Sequence, residues 1–313
     1  MKKEITRFGK ALLIVVGLLI FVDISIGALG DRLALNMPSF GRLVTKDNYR
    51  LHRMNSEVVI IGSSRGAHHY VTSQLNDSID TYFGRHVDVY NASIPGHFAN
   101  NNFCAVEVII ERYQPKLLIV EQTENQMCAK DVASDLEHLT PYYSSDSIVK
   151  RYIDNLGKNE KVLMRSNMYR YNNQLLNIAS AYLMKGGKDD GYIPLKGTSI
   201  NLSEFQYVDY PPEALNPYSE ANFRSMIQKC QSKGIPIVVS ASPFFRAGRN
   251  NNQVSHICEE YGVRYIDLFN EPYFNQHPEL FKDPAHLNDT GARLFTDLFY
   301  QQFKPLLKEV VFE

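Results

Sequence analysis

Glu57-Val-Val-Ile-Ile-Gly-Ser-Ser-Arg65 is the stretch that decides the fold. Its four consecutive β-branched residues read as a strand buried on both faces, and Gly62-Ser63-Ser64 punctuates it as a strand-to-helix turn. Short apolar runs of the same kind recur at 87–91, 117–121, 235–241 and 264–268. Helical patterns lie between them. Residues 98–113 put Phe103, Val106, Ile109 and Ile110 on one face and stop at Pro115, and 220–232 and 253–261 behave alike. Strand, helix, strand, repeated, predicts an α/β fold with a central parallel five-stranded sheet covered on both faces. Ligands of such sheets bind beyond the carboxyl ends of the strands, where Ser64 falls.

Upstream of this domain, Lys2, Lys3, Arg7 and Lys10 precede twelve residues, 11–22, without a polar side chain. A basic segment followed by an apolar one predicts export, with the C-terminal bulk outside the cytoplasm, periplasmic or extracellular. The apolar stretch reaches Leu29 only past Asp23 and Ser25, and a full span needs roughly 20 apolar residues. Asp23 lies toward the far end, where it can face a wet interface. Two readings follow: an uncleaved single-pass anchor over 1–30 in the cell membrane, and a signal peptide cut after Ala28-Leu-Gly30. No cysteine follows closely, which argues against lipid modification. Residues 31–54 read as a stalk, and 55–313 as the α/β domain.

Within that domain 131–217 breaks the rhythm. It is polar, rich in Tyr and Asn, and interrupted by Lys185-Gly-Gly-Lys-Asp-Asp-Gly191 and Pro211-Pro212, with one helix expected from about 160 to 183. It reads either as a cap over the site or as a surface elaboration. Thirty-three basic and 34 acidic residues give a net charge of −1 without long runs, so no field recruits nucleic acid. Cys104, Cys128, Cys230 and Cys258 are too few and too dispersed for a disulfide scaffold or a zinc ribbon. An exported location permits one disulfide without selecting a pair. No motif calls for a cofactor or a metal.

The chemistry-bearing residues sit at the predicted strand ends. A serine hydroxyl becomes a nucleophile when a histidine removes its proton and a carboxylate orients that histidine. Ser64 follows the first strand, and Asp283-Pro-Ala-His286 arrives more than two hundred residues later, just before a helix predicted to start near Asn288 or Asp289. One short loop thus delivers base and orienter together. The backbone N–H of Ser64, Gly96 in Asn91-Ala-Ser-Ile-Pro-Gly96 after the second strand, and Asn125 after the third are candidate oxyanion donors. His97 is a candidate pocket residue by proximity. Arg65 can hold an anionic substrate group or pair with a carboxylate. His68 and His69 are adjacent and face different ways, so they do not form a metal pair. Tyr142, Tyr143, Tyr169 and Tyr171 suit either sugar stacking or a small core within the insertion.

With these motifs in order, the chain resembles the SGNH hydrolase superfamily, the GDSL-like esterases. Gly62-Ser63-Ser64 stands for the Gly-Asp-Ser block, Asn91 to Gly96 for the glycine block, Asn125 for the asparagine block, and Asp283 to His286 for Asp-x-x-His. Ser63 replaces the usual aspartate, as in membrane-anchored members reading Gly-Ser-Ser-Arg. The third block departs further, with Thr123-Glu-Asn-Gln126 where the family has Gly-x-Asn-Asp. The resemblance implies a flavodoxin-like three-layer α/β/α sandwich, Ser64, His286 and Asp283 as catalytic triad, and esterase or acyltransferase activity. Through the anchored members it also implies O-acetyl groups of envelope or extracellular polysaccharide, or a small ester, as substrate, and a membrane O-acyltransferase as partner. A catalytically silent glycan-binding scaffold with the same fold is the alternative. A lipase or thioesterase would need a long apolar groove, which the polar 131–217 does not suggest.

Overall fold

Five strands form one parallel sheet in the order β2-β1-β3-β4-β5: β1 Val58–Ile61, β2 Val89–Asn91, β3 Leu117–Glu121, β4 Ile237–Ala241 and β5 Arg264–Asp267. Every residue of β1 to β4 is buried, as continuous apolar runs require. The register sets Ile60 beside Ile119, and Ile119 beside Val238. This order, with helical crossovers, is the flavodoxin-like one expected from the sequence. All five predicted strands are present, β3 with its predicted bounds and the other four shortened at their ends.

A computed structural model describes residues 2–40, 43–128, 130–184, 186–187, 189–199, 213–246 and 250–310. The chain divides into two compact units, Met1–Asn48 with Leu136–Gly186, and Tyr49–Asp135 with Gly187–Glu313. The sheet belongs to the second. There Val58, Ile60, Leu117, Ile119 and Val238 share a core with Leu75 and Ile79 of one helix (Thr72–Phe83) and Phe295, Phe299 and Phe303 of another (Asp289–Phe303). Side chains alternate across a strand, so Val59, Ile61, Leu118 and Val120 turn to the opposite face. The remaining helices, Ala99–Arg112, Pro217–Ser232 and Asn252–Glu260, fill the other crossovers, and the first two meet through Phe103 and Phe223, whose ring centroids are 5.2 Å apart.

The first unit departs from the sequence reading in detail. The apolar N-terminal segment is one helix, Lys2–Leu35, which continues through Gly30. Among the described residues it is the one helix long and apolar enough to cross a bilayer. The stretch read as a stalk carries a second helix, Leu43–His52. The single helix expected from about 160 to 183 is three: Lys158–Leu163, Asn167–Arg170 and Gln174–Leu183. Ser166 explains the break, because its hydroxyl accepts from the Tyr169 N–H at 3.3 Å and so starts a new turn. Tyr142 and Tyr171 are buried, which gives them to a core and withdraws them from sugar stacking. Tyr143 donates to Asp154 and Tyr169 to Glu160. Pro211 and Pro212 lie outside the described residues. The four cysteines are buried thiols not joined in disulfides, and burial pushes those of Cys230 and Cys258 up to about 12.

Because Ile119 is fully buried at the centre of the sheet, Ile119→Ala is expected to cost about 2–5 kcal/mol. Urea unfolding should show this as a lower midpoint with an unchanged slope.

Candidate active site

The carboxyl ends of β1, β2 and β3 each release a loop into one polar region. Ser64 is the first residue of a short helix, Ser64–His69, and is partly exposed, while Ser63 before it is buried. Ser63 Oγ accepts from Gln126 Nε2 at 2.8 Å, and the same amide nitrogen reaches Glu121 Oε2 at 3.2 Å. Asn91, at the end of β2, holds the helix from below by donating to the Gly66 carbonyl at 2.8 Å. The turn that carries Ser64 is therefore held by Asn91 at the end of β2 and by Gln126 in the short helix Glu124–Met127 after β3.

The structure brings Ser64, His286 and Asp283 together. His286 Nε2 lies 2.7 Å from Ser64 Oγ, and its Nδ1 lies 2.8 and 2.9 Å from the two Asp283 carboxylate oxygens. A carboxylate only accepts, so Nδ1 carries the proton and Nε2 presents its lone pair to the serine hydroxyl. Asp283 and His286 are three residues apart but not on a helix. They flank a tight hairpin between β6 (Phe281–Asp283) and β7 (His286–Leu287), and Asp283 Oδ1 also accepts from the Ala285 and His286 N–H groups at 2.9 and 3.0 Å. Burial opposes ionisation of Asp283, but the hydrogen bond and charge of His286, with the two N–H donors, outweigh it and hold the carboxyl below its usual range. Asn288 caps the following helix by accepting from the Gly291 N–H at 3.0 Å.

The oxyanion candidates are placed less directly. Ile94 to His97 form a turn closed by His97 N–H to the Ile94 carbonyl at 3.2 Å, with Pro95 second and Gly96 third at φ +84°. A type II turn demands that positive φ at its third residue, which explains the glycine. The Ile94 N–H donates to the Gly62 carbonyl at 3.1 Å, so this loop runs alongside the nucleophile turn. Gly96 is exposed at its tip, and His97 is buried beside it. Asn125 is exposed, with Oδ1 accepting from Thr123 Oγ1 at 2.5 Å. Arg65 is 4% exposed and faces inward. Its Nε is 3.3 Å from the fully buried Glu121, its Nη2 donates to Thr123 at 2.6 Å, and its guanidinium lies over the Phe269 ring. Carboxylate pairing, rather than the substrate-binding role weighed for Arg65, is what this geometry provides.

His68 and His69 enter the site in ways that spacing alone does not disclose. His68 Nδ1 donates to the Ile193 carbonyl at 2.7 Å, and its ring stands edge-on to His286 at 5.5 Å. Ile193 belongs to the part of the insertion, 189–199, that returns to the sheet. That strap is tied by Asp190 accepting from the Asn91 N–H, by the Ile193 N–H to Ala67, and by Leu195 accepting from the Asp289 N–H. His69 is wholly buried: Nε2 accepts from the Leu287 N–H at 2.9 Å, so Nδ1 carries the proton and donates to Ser242 at 2.8 Å. It links the nucleophile helix to the strand that carries His286. Nothing in the local sequence marks this role, since the partner Leu287 is 218 residues away.

No protein-family model matches the chain, and no curated protein matches it. Among solved structures it is similar to a psychrotrophic esterase from Pseudoalteromonas sp., at 12% identity over 80% of this chain and 99% of that one, TM-score 0.41. It is also similar to a lipase/acylhydrolase from Enterococcus faecalis, at 11% identity over 80% and 96%, TM-score 0.41. A GDSL-like lipase from Bacteroides thetaiotaomicron is a third, at 10% over 84% and 99%, TM-score 0.40.

Desolvation, and after it the nearby His286 and Arg65, push the His69 pKa well below its usual value. The unfolded chain takes up this proton as pH falls through about 6.5, and the folded chain does not, so stability must fall with pH in that window. Wild type should lose stability more steeply than His69→Gln below about pH 6.5, by at most about 1.4 kcal/mol per pH unit for one proton. Equal slopes in parallel denaturant titrations would count against a neutral His69.

Proposed function

We propose that the chain is a serine ester hydrolase or acyltransferase of the SGNH type, held to a membrane by Lys2–Leu35 with its α/β unit outside the cytoplasm. The observation that carries the catalytic part is the continuous hydrogen-bonded chain from Ser64 Oγ through His286 to Asp283. The resemblance of Gly62-Ser63-Ser64-Arg65 to anchored members of that superfamily supports O-acetyl groups of envelope or extracellular polysaccharide as substrate. The same resemblance supports a membrane O-acyltransferase as partner.

In this mechanism Ser64 Oγ attacks the ester carbonyl carbon as its proton passes to His286 Nε2. The resulting imidazolium is stabilised by Asp283, which stays ionised. The negative charge on the former carbonyl oxygen faces the donors at the Ser64 N–H and, on this reading, Gly96 and Asn125. His286 then returns the proton to the leaving sugar oxygen, and the bond to that oxygen breaks to leave the acyl group on Ser64. Water, or an acceptor hydroxyl in a transferase, repeats the sequence: His286 takes its proton, the oxygen attacks the acyl carbon, and Ser64 recovers its hydrogen. His69 contributes by staying neutral, since a second cation beside the imidazolium would raise the energy of the charged intermediate.

Acetate release from a chromogenic acetyl ester and from acetylated polysaccharide tests the reading. Ser64→Ala should reduce release to background, and His286→Ala by about 10²–10⁴-fold, both with unchanged folding. A folded wild type that releases nothing from either substrate, and whose Ser64 is not labelled by a serine-directed phosphonate, would favour the silent scaffold.

A further inference from the structure

The apolar N-terminal helix is built into its unit by an acidic residue in its apolar stretch. Asp23 Oδ1 accepts from Ser166 Oγ and the Met168 N–H, both at 2.8 Å, and Oδ2 accepts from Asn167 Nδ2 at 3.0 Å. Farther along, Asp31 accepts from the Tyr171 hydroxyl at 2.6 Å and from Arg170 at 3.1 Å, and the Tyr182 hydroxyl donates to the Leu33 carbonyl at 2.7 Å. A Cβ at Gly27 would lie 2.4 Å from Asn167 Cγ, and one at Gly30 2.6 Å from the Tyr171 ring. The helix and the turn Asn167–Arg170 thus meet at a separation that glycine permits. Cleavage after Gly30 would remove Asp23 and Gly27 and strip Ser166, Asn167 and Met168 of the carboxylate they hold.

These bonds set the height of the insertion against a bilayer. The exposed large apolar residues of the helix are dense from Ile5 to Ile24, roughly 30 Å at 1.5 Å per residue, which matches one hydrocarbon thickness, and beyond Ile24 they recur singly at Leu29 and Leu35. Arg7 and Lys10 reach the near headgroups by extending along the helix. Asp23 then stands at the far edge of the hydrocarbon, and its donors at 166–168 stand at the same level. Outside this helix the exposed large apolar residues among those described are Val162, Leu163, Met168, Tyr169, Leu176, Leu183 and Met184, with Phe98, Tyr273 and Leu294 elsewhere. Seven of ten therefore fall within 23 consecutive residues of the unit that carries the anchor. Four of them, Val162, Leu163, Met168 and Tyr169, lie within four residues of the Asp23 donors. Exposed Lys158, Lys161 and Arg165 are interleaved with them.

We infer that segment 158–169 seats on the outer leaflet of the membrane that the helix crosses. Val162, Leu163, Met168 and Tyr169 enter the boundary between headgroups and acyl chains, and Lys158, Lys161 and Arg165 face anionic headgroups. Apolar residues beside exposed cations at a membrane exit are the composition such a boundary favours, and of these cations Lys161 also lies 3.7 Å from Asp154. The inference rests on the anchor reading above and adds a second membrane contact to it. Leu183 serves as an internal contrast: it follows Tyr182, which bonds to Leu33, ten residues or about 15 Å beyond Asp23.

The test uses the full chain in vesicles of phosphatidylcholine and phosphatidylglycerol, with an environment-sensitive fluorophore on Ile14→Cys, Val162→Cys, Met168→Cys or Leu183→Cys. The four native thiols are buried, so labelling is confined to the introduced one. Lipids spin-labelled near the headgroup should quench positions 162 and 168 severalfold more than 183, and lipids labelled deep in the chain should quench position 14. Quenching at 14 with 162 and 168 no stronger than 183 would leave the anchor standing and overturn the surface seating. Disulfide cross-links between copies at 162, without quenching, would overturn it in favour of a second copy. A mature chain whose mass lacks residues 1–30 would overturn the anchor reading and the surface seating with it.

Discussion

A parallel sheet buried on both faces has one place for polar chemistry, the edge where its strands end, and the architecture of the α/β unit follows from that constraint. Gly62, Asn91 and Glu121 mark the ends of β1, β2 and β3, and each begins or supports the polar region around Ser64. Glu121 and Arg65 show how strong the constraint is. A fully buried carboxylate is tolerated there because a guanidinium and the Gln126 amide meet it, and removing either partner would leave a desolvated charge. Such a pair is weak support for stability, but it fixes the orientation of the residue next to the nucleophile.

The parts legible in the sequence were those with short-range signals. Continuous β-branched runs have no alternative to a doubly covered strand, and all five strands were found with errors only at their ends. Asp283 and His286 were legible because their spacing is short, although the turn joining them is a hairpin stabilised by the N–H groups of Ala285 and His286 rather than a helical turn. The insertion was less legible. A pattern of Tyr, Asn and Leu from 160 to 183 does not disclose that Ser166 caps a new helix.

The long-range parts left no local trace. His69 reads as an ordinary helical histidine until Leu287 and Ser242 appear on its two nitrogens. Asp23 reads as a blemish in an apolar segment, and its meaning depends on Ser166, Asn167 and Met168, more than 140 residues away. Only Asp23 carried a visible sign, a polar group in an apolar segment, and in both cases the partner was what the sequence withheld.

Ser64 and His286 are separated by 222 residues. A chain made N-terminus first therefore carries Ser64 through more than two hundred residues of synthesis before His286 exists to meet it. No N-terminal fragment, stalled intermediate or partly delivered chain has an assembled site, because the hairpin and Asp289–Phe303 must dock on the sheet before His286 meets the serine. The order of these residues along the chain thus ties the Ser64–His286–Asp283 contact to completion of the α/β unit.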